Sequence, residues 1–165
     1  MHALRRWALV LAGVVTLVGC DHATKYVAKV ELEGQPPRVL IASMLDLRYT
    51  ENTDVAFSLL RWIPEDVRAP LLIGFGAVAT VALIVLLRRS TTWLARAGVV
   101  FLLAGALGNY VDRLFRGYVV DFIHVHHWPV FNVADICVAI GIALFYWTSR
   151  PHSAVPRPAV EANVS

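Results

Sequence analysis

Asp121 lies in Val119-Val120-Asp121-Phe122-Ile123, an acid flanked on both sides by bulky apolar residues. Desolvation in such a setting disfavours the charged form and raises a carboxyl pKa. Asp135 follows Phe131-Asn132-Val133-Ala134 at the expected start of a helix, with Asn132 three residues earlier on the same face. A helix N-terminus favours the anion. Two carboxylates in unlike surroundings can share one proton, so that one activates water while the other protonates a carbonyl oxygen or a leaving group. This is the chemistry of peptide hydrolysis by paired acids. Each acid could equally cap a helix or bind a surface arginine, and spacing alone does not choose between these roles.

Two further polar groups lie in apolar sequence. Asp21 and Lys25 are four residues apart, the spacing that puts an acid and a base on one helix face. Their pairing lowers the cost of burial, and the expected role is structural, fixing the outer end of the first helix. Asn109, Asp112 and Arg113 occupy positions i, i+3 and i+4 and present an amide, an acid and a base together. Arg113 beside Asp112 keeps that carboxylate ionised, which suits an anchor better than a proton donor.

The elements that carry these groups are set by composition. Of 165 residues, 58% are hydrophobic and only 16% charged, with a mean hydropathy of +0.60, beyond the balance of a soluble domain. Four apolar stretches, roughly 7–28, 69–87, 93–111 and 133–149, approach or exceed the length that crosses a bilayer core. The expected fold is an all-α polytopic membrane protein: one four-span domain over 1–150, then a disordered cytoplasmic tail over 151–165 with three prolines.

Arg5 and Arg6, then Arg88, Arg89 and Arg96, then Arg150 and Arg157 fall on one side of this topology, where Glu161 is the only acid. By the positive-inside rule that side is cytoplasmic. Both termini are then inside, and segments 29–68 and 112–132 face outward with nearly all the remaining acids. The formal charge of +3 sits beside apolar spans, so topology accounts for it and no nucleic-acid partner is expected.

Leu45-Asp46-Leu47-Arg48-Tyr49 alternates apolar and polar residues, the pattern of a half-buried strand. A small extracytoplasmic β element is expected there, between Pro36-Pro37 and the turn-prone Asn52-Thr53-Asp54, with Arg61 to Arg68 as a connector into the second span. Gly98, Ala104, Gly105, Ala106 and Gly108 let the third span pack closely against a neighbour. Residues 1–20 end in Leu17-Val18-Gly19-Cys20 and resemble a lipoprotein signal sequence, but the apolar pattern continues through Ala23, Tyr26, Val27 and Ala28. A retained first span is the preferred reading. Cys20 and Cys137 have no motif spacing that supports a disulfide framework or a zinc site.

Taken in order, the motifs closely resemble those of the prokaryotic lipoprotein signal peptidase family, signal peptidase II. Asp21-His22-Ala23-Thr24-Lys25 is similar to the family's D-x-x-x-K, and Asn52 through Phe57 to its N-x-G-x-(A/S)-F. Gly108-Asn109-Tyr110-Val111-Asp112-Arg113 resembles G-N-x-x-D-R. The segments around Asp121 and Asp135 resemble V-x-D-F, with Val119 as its leading valine, and F-N-x-A-D. The resemblance implies a bacterial inner-membrane aspartic endopeptidase, free of metal and cofactor, that cuts diacylglyceryl-modified prolipoproteins just before the lipidated cysteine. It implies Asp121 and Asp135 as the catalytic pair. Asn52, Asn109, Arg113 and Asn132 would place substrate or support the acids, and Asp21, Lys25 and Asp112 would be structural. It further implies a short periplasmic helix after the third span that flanks the site with the β element. The expectation is a monomer among membrane lipids. Asp54 stands where the family motif usually has glycine. A positive φ there is tolerated by aspartate at modest cost, while its charge could shift the titration of the pair.

Two other readings compete. His124, His126 and His127 beside Trp128 raise metal catalysis, but the H-E-x-x-H spacing of a metallopeptidase is missing. A transporter or assembly factor would need a polar path across the membrane, whereas here the polar residues stop at the outer third.

Overall fold

Long apolar runs satisfy their backbone in lipid by coiling into helices. The computed structural model describes residues 2–53 and 62–149. Its helices are α1 (His2–Leu32), α2 (Glu65–Arg89), α3 (Trp93–Arg116) and α4 (Val133–Ser149). Three of them contain stretches long and apolar enough to cross a membrane, Leu4–Leu32, Asp66–Arg89 and Trp93–Arg116, and Val133–Thr148 is a shorter apolar helix. α1 runs unbroken through Cys20.

The small residues of α3 do what their spacing suggests. A Cβ on Gly98 would meet the carbonyl oxygen of Gly141 at 3.2 Å, and one on Gly105 would collide with the carbonyl oxygen of Ala134. α4 therefore lies against α3 at backbone distance. Beside this seam, Val14, Leu87, Val99 and Leu103 form a buried cluster that joins α1, α2 and α3.

Between α1 and α2 the chain forms β1 (Arg38–Ile41) and β2 (Leu45–Asn52), so the alternation at Leu45 to Tyr49 marks a strand. Both belong to an antiparallel sheet of order β1-β2-β3. β3 (Val119–Val125) corrects an expectation, because a short helix was anticipated after the third span. α3 instead continues to Arg116 and stops at Gly117, whose φ of 80° is cheap only for glycine. The β-branched residues Val119, Val120, Ile123 and Val125 favour extended backbone, and residues 117–132 contain no helix. Phe122 turns inward against Ala28 and Leu32, and this second cluster seats the sheet on the C-terminal end of α1. The connector expected up to Arg68 also ends sooner, since α2 begins right after Pro64. Asp54, the motif positions to Phe57, Arg61 and the tail over 151–165 lie outside the described residues.

Candidate active site

The site is assembled from the N-terminus of α4. The side-chain Oδ1 of Asn132 accepts from the backbone N–H of Asp135 at 3.0 Å, and the backbone N–H of Asn132 donates to Asp135 Oδ2 at 3.2 Å. This reciprocal pair is a capping box with aspartate in place of the usual glutamate. Asp21, from α1, satisfies another free amide, accepting from the backbone N–H of Ala134 at 2.8 Å. One helix end thus fixes Asp135 and ties α1 to α4.

Asp121 reaches the same place from the sheet. It pairs in register with Thr50 of β2, and its side chain is buried at 2% exposure. Its Oδ1 accepts from Nδ2 of Asn132 at 2.6 Å, and its Oδ2 from Nδ2 of Asn52, at the end of β2, at 2.8 Å. Asn109 on α3 completes the set by donating Nδ2–H to Asp135 Oδ1 at 2.9 Å. Each of the four oxygens on the two carboxylates accepts one N–H bond, and the donors belong to three asparagines.

Beneath the asparagines lies a fully enclosed cation. Lys25 is 0% exposed, and its Nζ meets Asp21 Oδ2 at 2.7 Å, Asp112 Oδ2 at 2.8 Å and Asn109 Oδ1 at 3.0 Å. The ammonium thus forms ion pairs with two carboxylates and donates a hydrogen bond to the Asn109 amide oxygen. Asp112 also takes Arg116 Nη1 on Oδ1 at 2.6 Å. The arginine expected beside Asp112 was Arg113; its Nη1 donates to the backbone carbonyl of Asn109 at 3.3 Å. Arg116 was missed, although its i,i+4 spacing from Asp112 signals the pair better than the adjacent Arg113 does. Gly108 leaves room for this packing, since a Cβ there would sit 2.6 Å from Asp21 Oδ2.

Burial pushes the carboxyl of Asp121 up to about 6. The bond from Asn52 opposes the rise, the neighbouring charge of Asp135 adds to it, and Asn132 and Lys25 again hold it down. Near neutral pH this acid is poised to gain or lose a proton. Among the described residues, Asp21, His22 and Asp112 are the one group whose donor atoms lie close enough to share a metal ion, within 4.8 Å of one another. Lys25 and Arg116 already neutralise these carboxylates. Of the clustered histidines, His124 bonds Asp46 through Nδ1 at 2.9 Å, while His126 and His127 bring their rings to 3.8 Å. The Arg48 guanidinium, helped by His124, holds the Asp46 carboxyl far below the usual carboxylate range. These residues make a surface ion cluster on the sheet, apart from the paired acids.

The geometry thus brings Asn52, Asn109, Asn132, Asp121, Asp135, Asp21, Lys25 and Asp112 into one network of hydrogen bonds and ion pairs. Two acids held by neutral amide donors, one of them retaining its proton to near-neutral pH, can polarise water and donate a proton in one cycle.

Residues 13–150 match the sequence model of a family described as Signal peptidase (SPase) II. A lipoprotein signal peptidase from Thermodesulfovibrio yellowstonii is 37% identical over 138 residues, covering 77% of this chain and 84% of the relative. Another from Rhodopseudomonas palustris is 36% identical over 153 residues, covering 85% of this chain and 90% of the relative. A solved structure described as a bacterial membrane enzyme is similar with a TM-score of 0.76 at 24% identity, over 86% of this chain and 92% of that one. That likeness concerns the fold.

Proposed function

The chain belongs to the signal peptidase II family, and from that premise we propose that it is an aspartic endopeptidase whose catalytic pair is Asp121 and Asp135. The family removes signal peptides from prolipoproteins. On this reading the substrate carries a diacylglyceryl-modified cysteine, and the bond cut is the one just before it. α4 serves as a fourth span beside α1, α2 and α3, the termini face the cytoplasm of a bacterial inner membrane, and the site opens near the outer face. The basic residues at the opposite helix ends support that orientation. The protein acts as a single four-span domain and as a monomer.

The observation that carries the reading is Asn132, which bonds Asp121 and Asp135 at once and so holds two carboxylates from different elements together. In the reaction, the ionised member of the pair accepts a proton from water, whose oxygen attacks the scissile carbonyl. The protonated member gives its proton to the carbonyl oxygen, and a tetrahedral diol forms. Collapse breaks the C–N bond as a carboxyl proton passes to the leaving nitrogen and a hydroxyl proton returns to the pair. One shared proton serves both halves, and no metal or cofactor takes part. Asn52, Asn109 and Asn132 hold the acids, and Arg113 lies close enough to support the same network.

The test is to incubate the purified protein, with chelator present, with a diacylglyceryl-modified precursor and with the same precursor unmodified, and to read product masses. The reading expects one cut, in the modified precursor, leaving the lipidated cysteine as the new N-terminus. Equal cutting of both precursors, a cut elsewhere, or loss of activity with chelator would contradict it.

A further inference from the structure

Lys25 was expected to be structural, yet its hydrogen bonds lead to the proposed catalytic pair. We infer that Lys25 is a positioning residue for the reaction: it fixes the side-chain amide of Asn109 in the one orientation that presents an N–H to Asp135. The inference rests on the reading of Asp135 as a member of the pair.

Asn109 Oδ1 faces two donors, Lys25 Nζ at 3.0 Å and Asn132 Nδ2 at 3.1 Å. Its Nδ2 therefore points the other way, at Asp135 Oδ1, 2.9 Å off. Rotating the amide by half a turn would set its NH2 group against an ammonium and an amide N–H, and its oxygen against a carboxylate. Both contacts would be repulsive, in surroundings where unmet polar groups are costly. Of the two donors, Lys25 carries the charge and makes the stronger hold.

Lys25 is itself held without freedom. Asp21 and Asp112 hold its charge in ion pairs at 2.7 and 2.8 Å, and Asp21 is tied to the α4 amide of Ala134. The ammonium is thereby fixed relative to the helix that carries Asp135. With Asn109 turned correctly, both oxygens of Asp135 are acceptors, Oδ1 from Asn109 and Oδ2 from the backbone of Asn132. The carboxylate plane is then set before substrate arrives. A merely structural lysine would leave the chemical step unchanged once the protein had folded.

Lys25→Met alone would strand two buried carboxylates, so the test uses an Asp112→Asn background, in which one positive and one negative charge leave together. Four proteins are compared on a diacylglyceryl-modified precursor: the background, and the background with Lys25→Met, with Asn109→Ala, and with both. Lys25→Met and Asn109→Ala should each lower kcat by roughly 10- to 100-fold, the range of one hydrogen bond to a charged group, with KM within about threefold. Lys25→Met should add little once Asn109 is gone, because the two act in series. Lys25→Gln, which keeps an N–H for Asn109, should recover part of the loss. Background kcat in the Lys25→Met protein, or the same fold-loss with and without Asn109, would overturn the inference. If the Lys25 variants do not fold, Asn109→Asp decides, since it keeps an acceptor for Lys25 but has no N–H for Asp135. Wild-type kcat in that variant would overturn the inference, because the N–H that Lys25 is argued to present would then be dispensable. Failure of the catalytic reading would look different, with precursor cleaved by Asp135→Asn.

Discussion

Nδ2 of Asn132 lies 2.6 Å from Oδ1 of Asp121, so the residue that caps α4 also restrains an acid on β3. Its Oδ1 takes the Asp135 amide and its backbone N–H serves the Asp135 carboxylate. The proposed pair is thus built around a helix cap, and the cap makes its geometry rigid without adding positive charge between the acids.

Asn52→Ala removes one of the donors that hold the Asp121 carboxylate in its ionised form. The limb of the pH–kcat/KM profile governed by Asp121 should then move to higher pH, because the carboxyl keeps its proton longer. Activity at the optimum should fall by roughly 10- to 100-fold, the range of a hydrogen bond to a charged group. Cleavage rates measured from pH 4 to pH 9 check both effects.

The same acid should leave a mark on stability. Its folded value of about 6 lies above the ordinary value of 3.8. Below the ordinary value the group is protonated in both states and costs nothing. As pH rises through the interval, the unfolded chain ionises first, and the native state loses stability by up to on the order of 3 kcal/mol. Asp121→Asn should flatten the dependence of the thermal midpoint on pH between about 4 and 6, leaving any contribution from other groups in place.

Asp112→Asn strips a carboxylate from Lys25 and Arg116. Breaking a buried pair from one side costs about 3–5 kcal/mol, so folded yield and thermal midpoint should fall before turnover does. Loss of turnover in an otherwise stable Asp112→Asn protein would mean that this acid belongs to the chemistry.

Gly108→Ala puts a methyl 2.6 Å from Asp21 Oδ2 and 3.2 Å from Ala134 Cβ. Overpacking of this kind costs about 1–3 kcal/mol, and here it also pushes on the cap that carries Asp135. Gly19→Ala meets no atom within 4 Å and should be neutral or slightly stabilising. Thermal midpoints of the two variants, with cleavage rates alongside, separate a close-approach role from a general preference for glycine.

Much of this arrangement could be read before any coordinates. The apolar runs are long enough to announce helices, and the alternation at Leu45 to Tyr49 announces β2. The Asn132 to Asp135 spacing announces a cap, and the ordered motifs single out the acids. What could not be read is non-local. Nothing in α1 says that Asp21 will cap an amide at Ala134, or that Lys25, beyond its expected partner Asp21, will also meet Asp112 and Asn109, because such contacts depend on how helices pack. β3 was missed for a different reason. Val119 to Val125 is apolar on both sides of Asp121, so it lacks the alternation that marks a half-exposed strand, and its partner is the distant β2.

The central claim is that Asp121 and Asp135 are jointly required for the chemical step. The most direct measurement is cleavage of a diacylglyceryl-modified precursor by purified Asp121→Asn and Asp135→Asn proteins, each shown to be folded by its thermal midpoint. The account predicts that neither variant processes the precursor, with rates reduced by at least about 1,000-fold, more than the 10²–10⁴-fold of acid–base catalysis by one group would require at its low end. Full cleavage by either folded variant would contradict it.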